Sequence, residues 1–235
     1  VTLTGSATAQ RSDGTVVDLA VDSRLAEDDV VETASGSELG IVFDDGTVFN
    51  LNGDSRMVLN ELVYEPGGSS NSMLFSMVEG VFAFVAGQVA PTGEMRIDTP
   101  VATMGVRGTS CLGRLDDVAV FRVIPDPVTN RVGACVLYSP GTDIVLAVSD
   151  SLDTQWVIDL ATGQLVEEPS DPAHQDLIQR LHDTFVRFTG EWFIYYVLIA
   201  LGGGVLMGLT AGVLEPTGVD VERVIEWVLP SGAAG

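Results

Sequence analysis

The sequence predicts a mainly β protein: a roll or sandwich of short antiparallel strands, followed by an amphipathic helix and one transmembrane helix. Alternating apolar residues broken by turn dipeptides fill residues 1–170. Apolar residues then recur at helical spacing through 171–190. Residues 192–214 follow, 23 positions without a single charge.

The strands come first. Val17, Leu19 and Val21 alternate with Val16, Asp18 and Ala20. Leu39, Ile41 and Phe43 share one strand face, and Asp45-Gly46 turns the chain into Val48–Leu51. An Asp-Gly pair between alternating runs is a hairpin signal, because both residues tolerate positive φ. Met57 and Leu59 open another strand. Met73–Val85 is nearly all apolar, broken by Glu79-Gly80, and reads as two buried strands around a tight turn. Further runs recur roughly every 8–12 residues to about residue 150, the spacing of an all-β roll or sandwich. Residues 155–159 and 164–168 form a last predicted hairpin, turning at Ala161-Thr162-Gly163. Residues 1–112 are read as the body of the β domain and 113–170 as its hairpin extension.

Helices follow. Asp171 can cap a helix and Pro172 fits its first turn. Leu177, Ile178, Leu181, Phe185 and Phe188 then mark one apolar stripe over 171–190. That stripe suits either the membrane interface or the surface of the β domain. The predicted transmembrane helix spans 191–215; Trp192–Leu214 would reach roughly 34 Å, enough for a bilayer core. Trp192, Tyr195 and Tyr196 stand at one end as membrane-interface anchors. Ala200, Gly204, Gly208 and Gly212 are spaced four apart and so share a helix face. Such a face permits close helix–helix packing in lipid, with other transmembrane helices or a second copy. Residues 216–235 form a short tail.

Composition narrows the function. Acidic residues number 33 against 11 basic ones, all arginine, for a net charge of −22. A phosphate backbone needs basic neutralisation, so nucleic acid is not an expected partner. His174 and His182 lie eight residues apart in the amphipathic segment and form no catalytic arrangement. Asp44, Asp45, Asn52 and Asp54 cluster around a hairpin without EF-hand spacing, and turn chemistry accounts for them. No metal site, cofactor or enzymatic activity is expected. Cys111 and Cys135 are either two buried thiols or a disulfide; a disulfide would link neighbouring layers rather than paired strand positions. The start at Val1 rather than Met is read as a processed or trimmed front, or numbering from a mature start, which leaves room for a removed export signal.

Several segments of residues 1–112 resemble the FecR domain, a β-rich domain of bacterial envelope proteins. Glu27–Thr33 is similar to its G-D-x-V-x-T segment, with Asp28 where glycine is usual. Asp45-Gly46-Thr47 resembles its D-G-T turn, and Leu51, Ser55 and Leu59 its L-x-x-x-S-x-x-x-L run. Glu79-Gly80-Val81 resembles its K-G-x strand pair. Thr99-Pro100-Val101-Ala102-Thr103-Met104-Gly105-Val106-Arg107-Gly108-Thr109 follows its T-P-x-A-x-x-G-V-R-G-T ending, the most specific of these matches. The glycines read as turn or close-approach positions, and Arg107 as a buried guanidinium paired with a carboxylate or with backbone carbonyls.

The resemblance implies a β domain in the bacterial periplasm. In the regulator that gives the family its name, a cytoplasmic segment and a membrane helix precede the domain; here the helix follows it. The expected setting is therefore the inner membrane, crossed once, with the β domain in the periplasm and the C-terminus in the cytoplasm. Arg180 and Arg187 before the span, against Arg223 after it, favour the opposite orientation, but long exported domains cross largely regardless of such charges. The expected function is that of a non-enzymatic accessory or scaffolding subunit of a membrane complex, touching membrane lipid, other transmembrane helices and a periplasmic protein. Alternatives are an envelope signalling regulator of the FecR type and a carbohydrate- or ligand-binding domain on a membrane tether.

Overall fold

The computed structural model describes residues 1–68, 70–92, 94–126 and 130–171. They lie in the first of two units, Val1–Phe185 and Val186–Gly235. The expectations for 172–235, including both helices, Trp192, Tyr195, Tyr196 and the Ala200–Gly212 stripe, fall outside the described residues. Among the described residues no helix is long and apolar enough to cross a membrane.

The regular structure of the described residues is almost all strand: β1 (Thr2–Thr4), β2 (Ala7–Gln10), β3 (Val16–Asp18), β4 (Val30–Thr33), β5 (Glu38–Val42), β6 (Val48–Leu51), β7 (Arg56–Val63) and β8 (Ser72–Val85). A one-turn helix, α1 (Val89–Thr92), intervenes. Then come β9 (Glu94–Asp98), β10 (Thr103–Val106), β11 (Ser110–Leu115), β12 (Val118–Ile124), β13 (Cys135–Tyr138), β14 (Val145–Ser149), β15 (Thr154–Asp159) and β16 (Leu165–Pro169).

These strands form two layers that share β8. The first sheet runs β3-β2-β4-β7-β8-β9-β10-β13-β14. The second runs β1-β5-β6-β8-β11-β12-β15-β16. The front half of β8 pairs with β7 and β9, and the back half with β6 and β11. The expected tight turn at Glu79-Gly80 is therefore a corner instead: one 14-residue strand passes from layer to layer there. Gly80 has φ +98°, and a Cβ on it would sit 2.5 Å from the Ser55 Cα. Only glycine permits both that conformation and that approach.

The expected all-antiparallel pairing has one exception. β8 and β9 run parallel, in register from Ser72↔Glu94 to Ser76↔Asp98. Parallel neighbours cannot be joined by a tight hairpin, so the chain crosses back through residues 86–93, which include α1. Alternation fills the space between the layers. Met73, Phe75 and Met77 from the front of β8, and Phe82 and Phe84 from its back, are buried in one cluster. Phe49 of the second sheet meets Phe75 at 4.8 Å and Phe84 at 5.1 Å between ring centroids, so aromatic contacts stitch the layers together.

Candidate functional site

The motif residues gather at the corners of the fold. At the β5–β6 hairpin Phe43 and Gly46 close the turn, and Gly46 takes φ +85°. Asp45 points inward and is buried. Its carboxylate accepts the Thr47 N–H and the Thr47 hydroxyl, each at 2.8 Å, and the Val89 N–H at 3.1 Å. The Thr47 hydroxyl oxygen also accepts the Gly87 N–H, and the Asp45 carbonyl accepts the Gln88 N–H. The D-G-T turn thus holds the β8–β9 crossover by its backbone. A carboxylate that accepts three internal donors has little capacity left for a cation, and among the described residues no three metal-type ligands gather.

Ser55 meets the Gly80 corner: its hydroxyl oxygen accepts the Val81 N–H. Thr33 is buried and bridges the β6–β7 connection through the Asn52 carbonyl and the Ser55 N–H. Asp28, which stands where the resemblance has glycine, takes φ +67°. A left-handed backbone position explains that glycine.

The T-P-x-A segment is the β9–β10 turn. Thr99 donates its hydroxyl to the Ala102 carbonyl, and its oxygen accepts the Ala102 N–H, with Pro100 between them. Arg107, Gly108 and Thr109 carry the chain from β10 in the first sheet to β11 in the second, and Gly108 has φ +60°. The structure corrects the expectation for Arg107. It is exposed and forms no ion pair among the described residues, because the crossing turns its side chain outward. Thr109 is buried beneath Gly133, where a Cβ would come within 2.5 Å of the Thr109 Cβ. Cys111 on β11 and Cys135 on β13 are joined as a disulfide, with Cα atoms 7.0 Å apart. The bond ties the second sheet to the first.

With the motifs turned inward, the surface offers a different candidate. β14 is the edge of the first sheet. Ile144 is 65 % exposed, Val145 54 %, Leu146 38 % and Val148 43 %. A bulge between Leu137 and Tyr138 shifts the register so that Val145 faces Tyr138 and Val148 faces Val136. Tyr138 carries Arg96 over its ring at 5.9 Å, and Arg96 pairs with Glu94 and with Asp143. The result is an apolar strip with a charged rim, the composition of a protein contact surface. Sequence reasoning missed it. An unbroken run such as Ile144–Val148 reads as a buried strand, and only the pairing order shows that it ends a sheet.

A second arginine is buried, where charged side chains are ordinarily exposed. Arg122, on the outward face of β12, is nearly buried, and burial pulls its guanidinium below the ordinary value while Asp171 partly offsets the shift. Its Nη1 donates to the Asp171 carbonyl at 3.2 Å, and among the described residues its Nε has no hydrogen-bond partner.

Comparison with known proteins agrees with the motif reading. Residues 29–124 match the family model described as FecR protein. No curated protein matches the sequence. Two crystal structures of a candidate anti-sigma factor from Parabacteroides distasonis ATCC 8503 are similar at 20 % identity, with TM-scores of 0.46 and 0.45. Each comparison covers 60 % of this chain, and the chain spans 60 % of the length of each of those proteins.

Proposed function

We propose that the chain is a non-enzymatic envelope signalling regulator of the FecR type. In this reading residues 191–215 anchor it in the bacterial inner membrane, and the β domain receives a protein partner in the periplasm. The FecR match over residues 29–124 carries the reading. The β14 edge is the surface assigned to the partner. It exposes apolar side chains in a row, it is rimmed by Glu94, Arg96 and Asp143, and no motif residue needs it for the fold.

The test is partner retention by the full chain, extracted in mild detergent from its native cells. Leu146→Glu with Val148→Glu places two charges on the strip without entering the core. Partner recovery should fall at least about tenfold, the effect of losing roughly 1.4 kcal/mol or more of contact energy. Val166→Glu, on the exposed face of β16, is the control. Equal recovery from both variants would remove β14 as the docking edge.

An accessory or scaffolding subunit is the second reading. The Ala200, Gly204, Gly208 and Gly212 stripe favours it, because a smooth helix face suits membership of a larger membrane complex.

A further inference from the structure

A strand at the end of a sheet exposes unpaired backbone groups, and proteins guard such edges with short strands, charges, proline or bulges. Among the described residues the two sheets have four ends, β3, β14, β1 and β16. β1 and β3 are three residues long, and β3 closes on Asp18. β16 carries Glu167, Glu168 and Pro169. β14 is the exception. Val145–Ser149 is five residues long, with no charge and no proline, and among the described residues only β13 pairs with it.

The backbone on its open side is available. Val148 turns its carbonyl away from β13, where the Trp156 indole N–H donates to it at 2.9 Å. A residue of an antiparallel strand presents its N–H and carbonyl to the same side, so the Val148 N–H is directed outward as well. Leu146 is the extra residue of the bulge: Leu137 faces Ala147 and Tyr138 faces Val145, which leaves Leu146 outside the register. Ala147 and Ser149 are buried while Leu146 and Val148 are exposed. An added strand would therefore continue the sheet and lay alternate side chains beside Leu146 and Val148.

Charge specifies what kind of strand fits. Exposed carboxylates stand at both ends of β14, Asp143 and Glu94 with Arg96 between them at one, Asp150 and Asp153 at the other. A second copy is a poor match. Two β14 edges paired antiparallel would bring the Asp143 end of each against the Asp150 end of the other, and like charges across a strand pair are destabilising. Each chain also carries a net charge of −22.

We infer that β14 is extended by one strand of a partner protein, a segment with apolar side chains at alternate positions and an arginine or lysine at each end. The inference rests on the reading of β14 as the docking edge and adds the mode and the chemistry of docking.

The test uses the full chain in mild detergent and a fluorescein-labelled probe, the peptide Arg-Val-Thr-Val-Thr-Val-Arg, read by fluorescence anisotropy. The peptide should bind, and its counterpart Glu-Val-Thr-Val-Thr-Val-Glu should bind at least roughly tenfold more weakly at low salt. N-methylation of alternate backbone amides separates a strand ladder from side-chain contact. On the set that faces β14 it should weaken binding roughly tenfold or more, and on the other set it should change binding by less than about twofold. Leu146→Pro, tolerated at a bulge on an edge strand, should weaken the unmodified peptide roughly tenfold, and Leu146→Ala, which keeps the N–H, less than about threefold. Equal affinity of the two methylated peptides, or no binding of the basic peptide, would overturn the inference. Recovery of the native partner then shows how far the failure reaches. If Leu146→Glu with Val148→Glu still releases the partner, β14 docks by its side chains alone and the docking reading stands; if the partner stays, both readings fall. A chain that is dimeric in detergent and made monomeric by Leu146→Pro would assign the edge to a second copy and overturn the inference as well.

Discussion

Asp45→Ala is the substitution whose effect the structure specifies most closely. The side chain is buried and its two oxygens accept three donors, from the Thr47 N–H, the Thr47 hydroxyl and the Val89 N–H. Alanine removes the acceptor and leaves two backbone N–H groups buried without partners. Each such orphan costs about 1–3 kcal/mol, and the hydroxyl can turn toward another acceptor. The three contacts share one anchor and will not add simply, so the expected loss is about 3–5 kcal/mol. For a domain of this size that lowers Tm by roughly 6–20 °C. Asp44 is exposed beside it, and Asp44→Ala should stay within about 0.5 kcal/mol. Asp45→Asn keeps one oxygen acceptor and should fall between the two. Urea titration of the full chain in one detergent, followed by far-ultraviolet circular dichroism, gives all three values. If Asp45→Ala costs no more than Asp44→Ala, the turn does not anchor the crossover and the account of the D-G-T motif fails.

Other expectations follow from the same geometry. Asp28→Gly relieves a left-handed backbone position and should raise stability by up to about 1 kcal/mol, read from the urea midpoint. Gly80→Ala must accept both φ +98° and overlap with Ser55, whereas Gly46→Ala meets φ +85° in open space; the first should cost at least about 1 kcal/mol more than the second. Reduction of the Cys111–Cys135 bond, which closes a loop with sequence separation 24, should cost about 3.5 kcal/mol on the chain-entropy relation; two free thiols in the mass spectrum of unreduced protein would contradict the bond. The Thr162 N–H and hydroxyl hold the Asp159 carboxyl below its ordinary value. The β15–β16 turn should therefore be firm above the ordinary carboxylate range and loosen as pH falls through the depressed value, seen as faster exchange of the Gln164 amide. Gly208→Leu should weaken association in detergent while Leu209→Ile does not, if the small-residue stripe packs against another helix.

Local chemistry made much of this fold legible. The Asp45-Gly46 hairpin and the turn at Ala161-Thr162-Gly163 follow from residues that tolerate positive φ, and β7 follows from Met57 and Leu59. Gly80 shows where local reading stops. Glu79-Gly80 has the composition of a tight turn, yet its partners are β7 and β9 on one side and β6 and β11 on the other. That pairing is set by residues far away in sequence. The parallel β8–β9 pair escaped for the same reason, since nothing local in Val89–Thr92 announces a crossover. Arg107 reads as buried from its neighbours in sequence, but the chain changes layers there and the side chain turns out. The β14 surface is not legible in the sequence, because an apolar run by itself does not show that its strand ends a sheet. The motif spacing was informative where Ser55 meets the Gly80 corner and where Asp45 holds the crossover at Val89.

The proposed function is tested most directly in the native cell by deleting the gene and measuring transcripts. A FecR-type regulator predicts that a bounded set of transcripts, dependent on one sigma factor, changes on deletion. The set should return with the wild-type chain and stay altered with the Leu146→Glu, Val148→Glu variant at equal membrane abundance. Transcript levels that are the same with and without the chain, under conditions where it is abundant in the membrane, would contradict a signalling role.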